Sequence, residues 1–210
     1  MKFGSITTGI IVDGLVFNMD PANRASYVPN ATTSFNTLDI SQSGSFENGI
    51  DFLQPPISAS CWEFDGTDEY ITISSTLNLS TSHTISYWCN VSATSFSNII
   101  SGTGGSKILF NSPNRVYYNS EDYTNTQPMV STPLNQWNNV IISRDSTTIR
   151  FYVNGSLKTT ITGFGGNHFT FNKILGLDVE NQLASMHLYN RALSANEVLH
   201  NYNALKGRFA

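Results

Sequence analysis

The chain is short of charge. Only 12% of its 210 residues are Asp, Glu, Lys or Arg, and the net charge is −4 with no run of basic residues. Nucleic-acid binding needs grouped Lys and Arg against phosphate, so that class is excluded. No apolar run is long enough to cross a bilayer as a helix, and membrane insertion is not expected. Cysteine is scarce too. Cys61 and Cys89 lack zinc-ligand spacing. They serve either as a disulfide between neighbouring strands or as two small buried apolar residues, and the second is the expectation. The four histidines, His83, His168, His187 and His200, are scattered, and none joins a Ser or Cys in a nucleophile motif such as G-x-S-x-G. No glycine-rich loop opens a helix to hold phosphate: Gly102 to Gly105 reads as a loop tip.

What the chain has is Ser, Thr, Asn and Gly, with 12% aromatic residues. The core is therefore built from Phe, Tyr, Trp, Ile, Val and Leu. The surface is mostly neutral hydroxyl and amide, which suits packing against another protein and hydrogen bonding to sugars. The stretch from Phe3 to Val12, diluted by Ser, Thr and Gly and closed by Asp13, reads as a strand rather than a signal peptide.

Short strand-like runs separated by turn residues predict one all-β domain over residues 1–210, a sandwich of two antiparallel sheets. Strands are expected from Gly14 to Met19 and Cys61 to Phe64, and then regularly as far as Leu183 to Tyr189. Pro21 to Pro56, rich in Asn, Ser and Thr, is expected to be an irregular segment covering one edge. At Asn154-Gly155, alternating Ile149, Phe151 and Val153 meet the residue pair that supplies a type I′ hairpin turn. One helix closes the chain over residues 194–206. Ser194 and Glu197 form a capping box, Val198, Leu199, Tyr202 and Leu205 make the apolar stripe, and Gly207 stops it.

Several motifs, in order over nearly the whole chain, resemble the concanavalin A-like lectin/glucanase superfamily in its laminin-G-like branch. They are G-L-V-F-N-M-D (Gly14 to Asp20), F-D-G-T-D-E-Y-I-T-I (Phe64 to Ile73), H-T-I-S-Y-W (His83 to Trp88), Q-W-N-N-V (Gln136 to Val140), T-I-R-F-Y-V-N-G (Thr148 to Gly155) and Y-N-R-A-L-S (Tyr189 to Ser194). The ending through N-Y-N-A-L-K-G-R-F is similar to versions of the domain in virion structural proteins of marine tailed phages. The resemblance implies a jelly-roll of roughly six or seven strands per sheet. It also implies that Trp62, Trp88 and Trp137 belong to the framework.

The superfamily includes glucanases, whose retaining chemistry uses the strand motif E-x-D-x-x-E to set two carboxylates close together. That motif is absent, and Asp178 with Glu180 lacks a third acid. The resemblance also raises a calcium site, for which Asp20, Asp65 and Asp68 are the alternative ligand set. The acids that relatives carry before the last strand are replaced here by Leu183 to Met186, so no cofactor is expected, and Asp65 is expected to make an Asx turn with Gly66. For carbohydrate, Val116 to Asn125 is the richest segment, and Tyr118, Asn119, Asp122 and Tyr123 are the candidate binding residues.

The leading expectation is a non-enzymatic structural protein on the exterior of a tailed-phage virion, a capsid decoration or a fibre or spike component. Its partners would be other capsid or tail proteins, copies of itself in a homo-oligomer, and cell-surface glycans, with the Pro21 to Pro56 segment making contacts. The alternatives are a secreted or cell-surface lectin or carbohydrate-binding module and, third, a glycoside hydrolase.

Overall fold

In the computed structural model, residues 9–55, 59–92, 97–111, 115–120, 129–175 and 180–209 are described. In chain order the elements are β1 (Leu15–Met19), β2 (Thr33–Asn36), β3 (Asp39–Glu47), β4 (Asp51–Leu53), β5 (Cys61–Phe64), β6 (Tyr70–Leu79), β7 (Ser82–Val91) and β8 (Ser97–Ser101). They continue with β9 (Lys107–Asn111), β10 (Arg115–Asn119), β11 (Met129–Ser131), β12 (Asn138–Asp145), β13 (Thr148–Val153), β14 (Ser156–Ile161), β15 (Phe169–Leu175), β16 (Asn181–Tyr189) and the helix α1 (Ala195–Leu205). All strand pairs are antiparallel. One sheet runs β14-β13-β12-β7-β16-β5-β4, with β1 added beside β16. The other runs β11-β10-β9-β8-β15-β6-β3-β2. Among the described residues each sheet has eight strands, one or two more than the resemblance implies.

The sheets face each other across one core. Phe17, Trp62, Phe64, Ile85, Tyr87, Phe151 and Leu188 come from the first sheet. Ile71, Ile108, Phe110, Val116, Phe169 and Phe171 come from the second. Phe17 and Phe171 meet edge to face at 5.1 Å across the two layers. Alternation decides the rest. Along β7, Ile85, Tyr87 and Cys89 enter the core, whereas Trp88 faces the other way, into a separate cluster with Cys61 and Ala184. Cys61 and Cys89 are thus buried thiols on opposite faces of one sheet, with β16 between their strands, and a disulfide between them is sterically closed.

The Asn154-Gly155 hairpin forms as expected, with φ of 52° and 75° at the two turn residues. Gly155 has a second reason to lack a side chain: a Cβ there would stand 2.8 Å from the Tyr202 ring. Helix α1 lies over the outer face of the first sheet and touches this hairpin. Its capping box is complete, with Ser194 Oγ accepting from Glu197 N–H and the Glu197 side chain accepting from Ser194 N–H.

Three expectations about the helix and the ends change. Leu199 is half exposed, and Asn201 takes the buried place, accepting from Ile11 N–H and donating to Tyr189 Oη. Gly207 does not stop the helix in a left-handed conformation. The chain tightens into a 3-10 turn at Lys206–Arg208 instead, which lays Phe209 flat on Trp88 at 4.1 Å. Residues 9–12 are not a strand; they run beside α1, where Gly9 O accepts from His200 Nε2.

The 21–56 stretch is not irregular throughout. It holds β2, β3 and β4. In β3 only Gly44 is fully buried, because the strand lies near the sheet edge with one face in water. A Ser-rich sequence satisfies such a strand without any visible apolar alternation.

Candidate functional site

The tyrosine-rich segment does not form a surface platform in its described part. Strand β10 turns Val116 and Tyr118 into the core and Tyr117 outward. Tyr118 is fully buried, stacked on Phe169 at 5.3 Å, with its hydroxyl 3.0 Å from His83 Nε2 and 3.4 Å from Arg144 Nη1. No glycan can reach it. Burial pushes its phenol well above the usual value. Asn119 is 5% exposed and equally unsuited to a surface contact. Asp122 and Tyr123 lie outside the described residues, as does Asp178.

The three aspartates of the alternative calcium set do not converge. Asp20 is held by Arg208 through two bonds of 2.6 and 2.9 Å. Asp65 Oδ1 accepts from Thr67 N–H at 2.7 Å across Gly66, the expected Asx turn. Asp68 is exposed and offers its backbone oxygen to Asn48. Among the described residues no three His, Cys, Asp or Glu side chains are placed to share a metal ion. Glu180 is exposed, and its carbonyl is used by Ser92. Two histidines are sealed in protein: burial depresses His83 and His187 to about 4, so both are neutral at pH 7. Trp62 and Trp88 are buried as expected, and Trp137 is half-buried against Phe209 at 4.9 Å.

The aromatic surface that the fold does offer lies elsewhere. Asn48-Gly49, both at positive φ (65° and 94°), carry the chain from β3 in one sheet to β4 in the other. This crossing sets Phe46 and Phe52 on either side of Tyr27. Tyr27 stacks on Phe46 at 5.4 Å and 16°, leans on Phe52 at 5.0 Å, and meets Trp62 edge-on at 6.1 Å. Above these rings is a depression of about 250 Å³ rimmed by Asn30, Thr32, Gly49 and Asp51. Tyr27 is buried and supports the floor from within, Phe46 and Phe52 are half-buried, and Asn30, Thr32 and Asp51 are exposed.

An apolar ring floor beside an amide, a hydroxyl and a carboxylate matches the two faces of a sugar, whose C–H surface stacks while its hydroxyls bond at the rim. All the floor and rim residues lie in the 21–56 segment expected to be irregular. The legible signal was the second Asn-Gly pair, flanked at two and three residues by Phe46 and Phe52.

A laminin-G-type family model, described as the concanavalin A-like lectin/glucanases superfamily, matches residues 65–199, well over half of the chain. No curated protein matches. Among solved structures, the chain is similar to the botulinum neurotoxin serotype D binding domain, with a TM-score of 0.72 and 13% identity over 91% of this chain and 52% of that one. It is similar also to the binding domain of botulinum neurotoxin DC in complex with SialylT, with a TM-score of 0.67 and 16% identity over 92% and 52%. A third similar structure is the same domain in complex with rat synaptotagmin II, with a TM-score of 0.66 and 15% identity over 91% and 52%. The chain spans about half the length of these structures, and likeness at such identities carries the fold alone. With its two antiparallel sheets, closing helix and matched motifs, the chain belongs to the concanavalin A-like lectin/glucanases superfamily.

Proposed function

We propose that this chain is a non-catalytic carbohydrate-binding module that holds a sugar in the depression over Phe46 and Phe52, the buried Tyr27 fixing these two rings in place. One observation carries the reading: a stacked aromatic floor meets Asn30, Thr32 and Asp51 at an exposed rim. Binding domains among the similar folds, one of them in complex with a glycan, support it. The missing E-x-D-x-x-E motif supports a module that binds without cleaving. Glycan-array screening followed by calorimetry tests it. Selective binding should fall at least about tenfold in Asn30→Gly/Asp51→Ala, since each polar contact to a sugar is worth about 1 kcal/mol. Glycine is chosen at position 30 because its φ is 69°. Binding unchanged in that variant, or no binding to any glycan, rejects the reading.

A second reading, a structural protein of a tailed-phage virion exterior, is supported by the resemblance of the closing segment and by one structural observation. Val28, Phe35, Leu38 and Ile40 are 54%, 40%, 49% and 76% exposed, and all lie between residues 28 and 40, inside the segment expected to contact neighbours. Exposed apolar residues gathered in one stretch suit a protein contact. Mass spectrometry of purified particles tests it through a high, fixed copy number.

A further inference from the structure

The two sheets end side by side at the other edge of the sandwich, where β11 is the last strand of one and β14 the last strand of the other. Between them lie two hollows of about 610 and 400 Å³ that share Ser131 and Lys158. Arg115 lines one, Lys158 lines both, and among the described residues no acidic side chain lines either. Neither cation makes an ion pair or a side-chain hydrogen bond among the described residues. Of the other guanidiniums that are half-buried or deeper, Arg191 is held by Asp13 and Glu197, Arg208 by Asp20, and Arg144 by backbone carbonyls, whereas Arg150 on β13 has no such partner among the described residues. At the wall of the larger hollow, Thr132 is 1% exposed, and its hydroxyl has no partner. Ser156 and Thr159 add exposed or half-exposed hydroxyls along the groove.

We infer that this groove is a second binding site, for an acidic oligosaccharide whose carboxylate or sulfate lies between Arg115 and Lys158. Two cations without a local counter-charge attract an anion, and a charge-assisted hydrogen bond to Arg or Lys is about twice as strong as a neutral one. The run of hydroxyls beside them suits a polyhydroxylated chain. The choice of a saccharide over another anion rests on the binding-module reading, but the site is separate from the aromatic depression and shares no residue with it.

Calorimetry with three tetrasaccharides tests it: an oligogalacturonate, a heparin-derived sulfated fragment and neutral cellotetraose, each at 20 and 300 mM NaCl. At low salt at least one acidic probe should bind tenfold or more tighter than the neutral one, and the preference should shrink at high salt. Which acidic probe prevails tells carboxylate from sulfate. Arg115→Gln and Lys158→Gln should each weaken acidic binding about tenfold, with the thermal midpoint unmoved. Asn30→Gly/Asp51→Ala should leave it intact. Acidic and neutral probes binding alike, both glutamine variants binding like wild type, or polyglutamate binding as well as the acidic sugars would each overturn the inference. Neutral-glycan binding lost only in the depression variant, without any acidic preference, sinks this inference and leaves the module reading standing. Acidic binding at the groove with no glycan held at the depression does the reverse.

Discussion

Arg144 and Arg115 are the same residue put to opposite ends. Arg144 stands on the inner face of β12 at one end of the sandwich and is 1% exposed. Its guanidinium donates to the carbonyls of Ser146, Gly166 and Asn167 and to Tyr118 Oη, and lies 4.9 Å from the centre of the Phe164 ring. A cation so deep needs a full set of acceptors, and the fold supplies them from its own backbone rather than from a carboxylate. Arg115, on the groove between β11 and β14, has no side-chain partner among the described residues. The interior surrounds its buried guanidinium with acceptors, whereas the rim leaves a guanidinium, an ammonium and hydroxyls open. Groups of the first kind should govern stability, and groups of the second kind binding.

The sharpest way to break this comparison is to remove the buried cation. Arg144→Met keeps the volume but leaves three carbonyls and a phenol with no donor, and unties the 162–168 loop from the end of the core. Destabilisation of about 3–5 kcal/mol is expected by urea unfolding, in line with one-sided removal of a buried charged partner. Arg144→Lys should recover little, because one ammonium cannot reproduce the planar fork. A methionine variant within about 1 kcal/mol of wild type would show that the nest is ornamental.

The next largest effect is the response to acid. His83 is neutral and fully partnered, with Nδ1 2.5 Å from Ser80 O and Nε2 on Tyr118; His187 is equally buried, with Nδ1 unpartnered. Both sit at about 4 in the folded chain, chiefly by burial, against 6.5 when exposed. The unfolded chain therefore takes up protons that the folded one refuses. Stability is full above pH 6.5 and falls as pH drops toward 4, by about 1 kcal/mol per histidine between pH 7.5 and 5.5. Glu197, drawn down to about 2 mainly by its bonds with Arg191, adds its own loss only below the ordinary carboxylate range, and Glu69, raised by burial, acts with the opposite sign. Urea midpoints at the two pH values check it, and His187→Gln should remove about half of the change.

What the sequence made legible follows the same division. The interior was readable wherever one face is dry: β7, β12 and β13 alternate or run apolar, Asn154-Gly155 marks its hairpin, and Ser194 with Glu197 marks the helix start. The rim was not. β3 buries one residue in nine, so its pattern carries no period. Composition could not tell Tyr117 from Tyr118 either. Only the pairing with β9, where Tyr118 stands opposite Ile108, fixes which ring points inward. The depression joins residues 27 to 52 across a change of sheet, which no local pattern records.

The C-terminal turn is intermediate, neither core nor rim, and sharpens the boundary between them. Phe209→Ala removes a ring stacked on Trp88 and touching Trp137. A loss of about 1–2 kcal/mol is expected, with faster amide exchange confined to residues 195–209. Exchange that spreads through β7 and β16 as well would mean that the outer cluster and the inter-sheet core unfold as one unit.

The smallest effect on stability should come from the rim itself, and that is what makes it decisive. Asn30, Thr32 and Asp51 are exposed, and none of their side chains closes a hydrogen bond or ion pair among the described residues. Thr32→Ala/Asp51→Ala should shift unfolding by no more than about 0.5 kcal/mol, as surface changes away from special features do. The same double variant should lose sugar binding at the depression while acidic binding at Arg115 and Lys158 persists. Stability and binding would then fall on separate residues, as the two arginines suggest. If the pair instead costs as much stability as Phe209→Ala, the rim is part of the packing that holds Tyr27 between Phe46 and Phe52, and the depression is a seam in the fold rather than a place for a ligand.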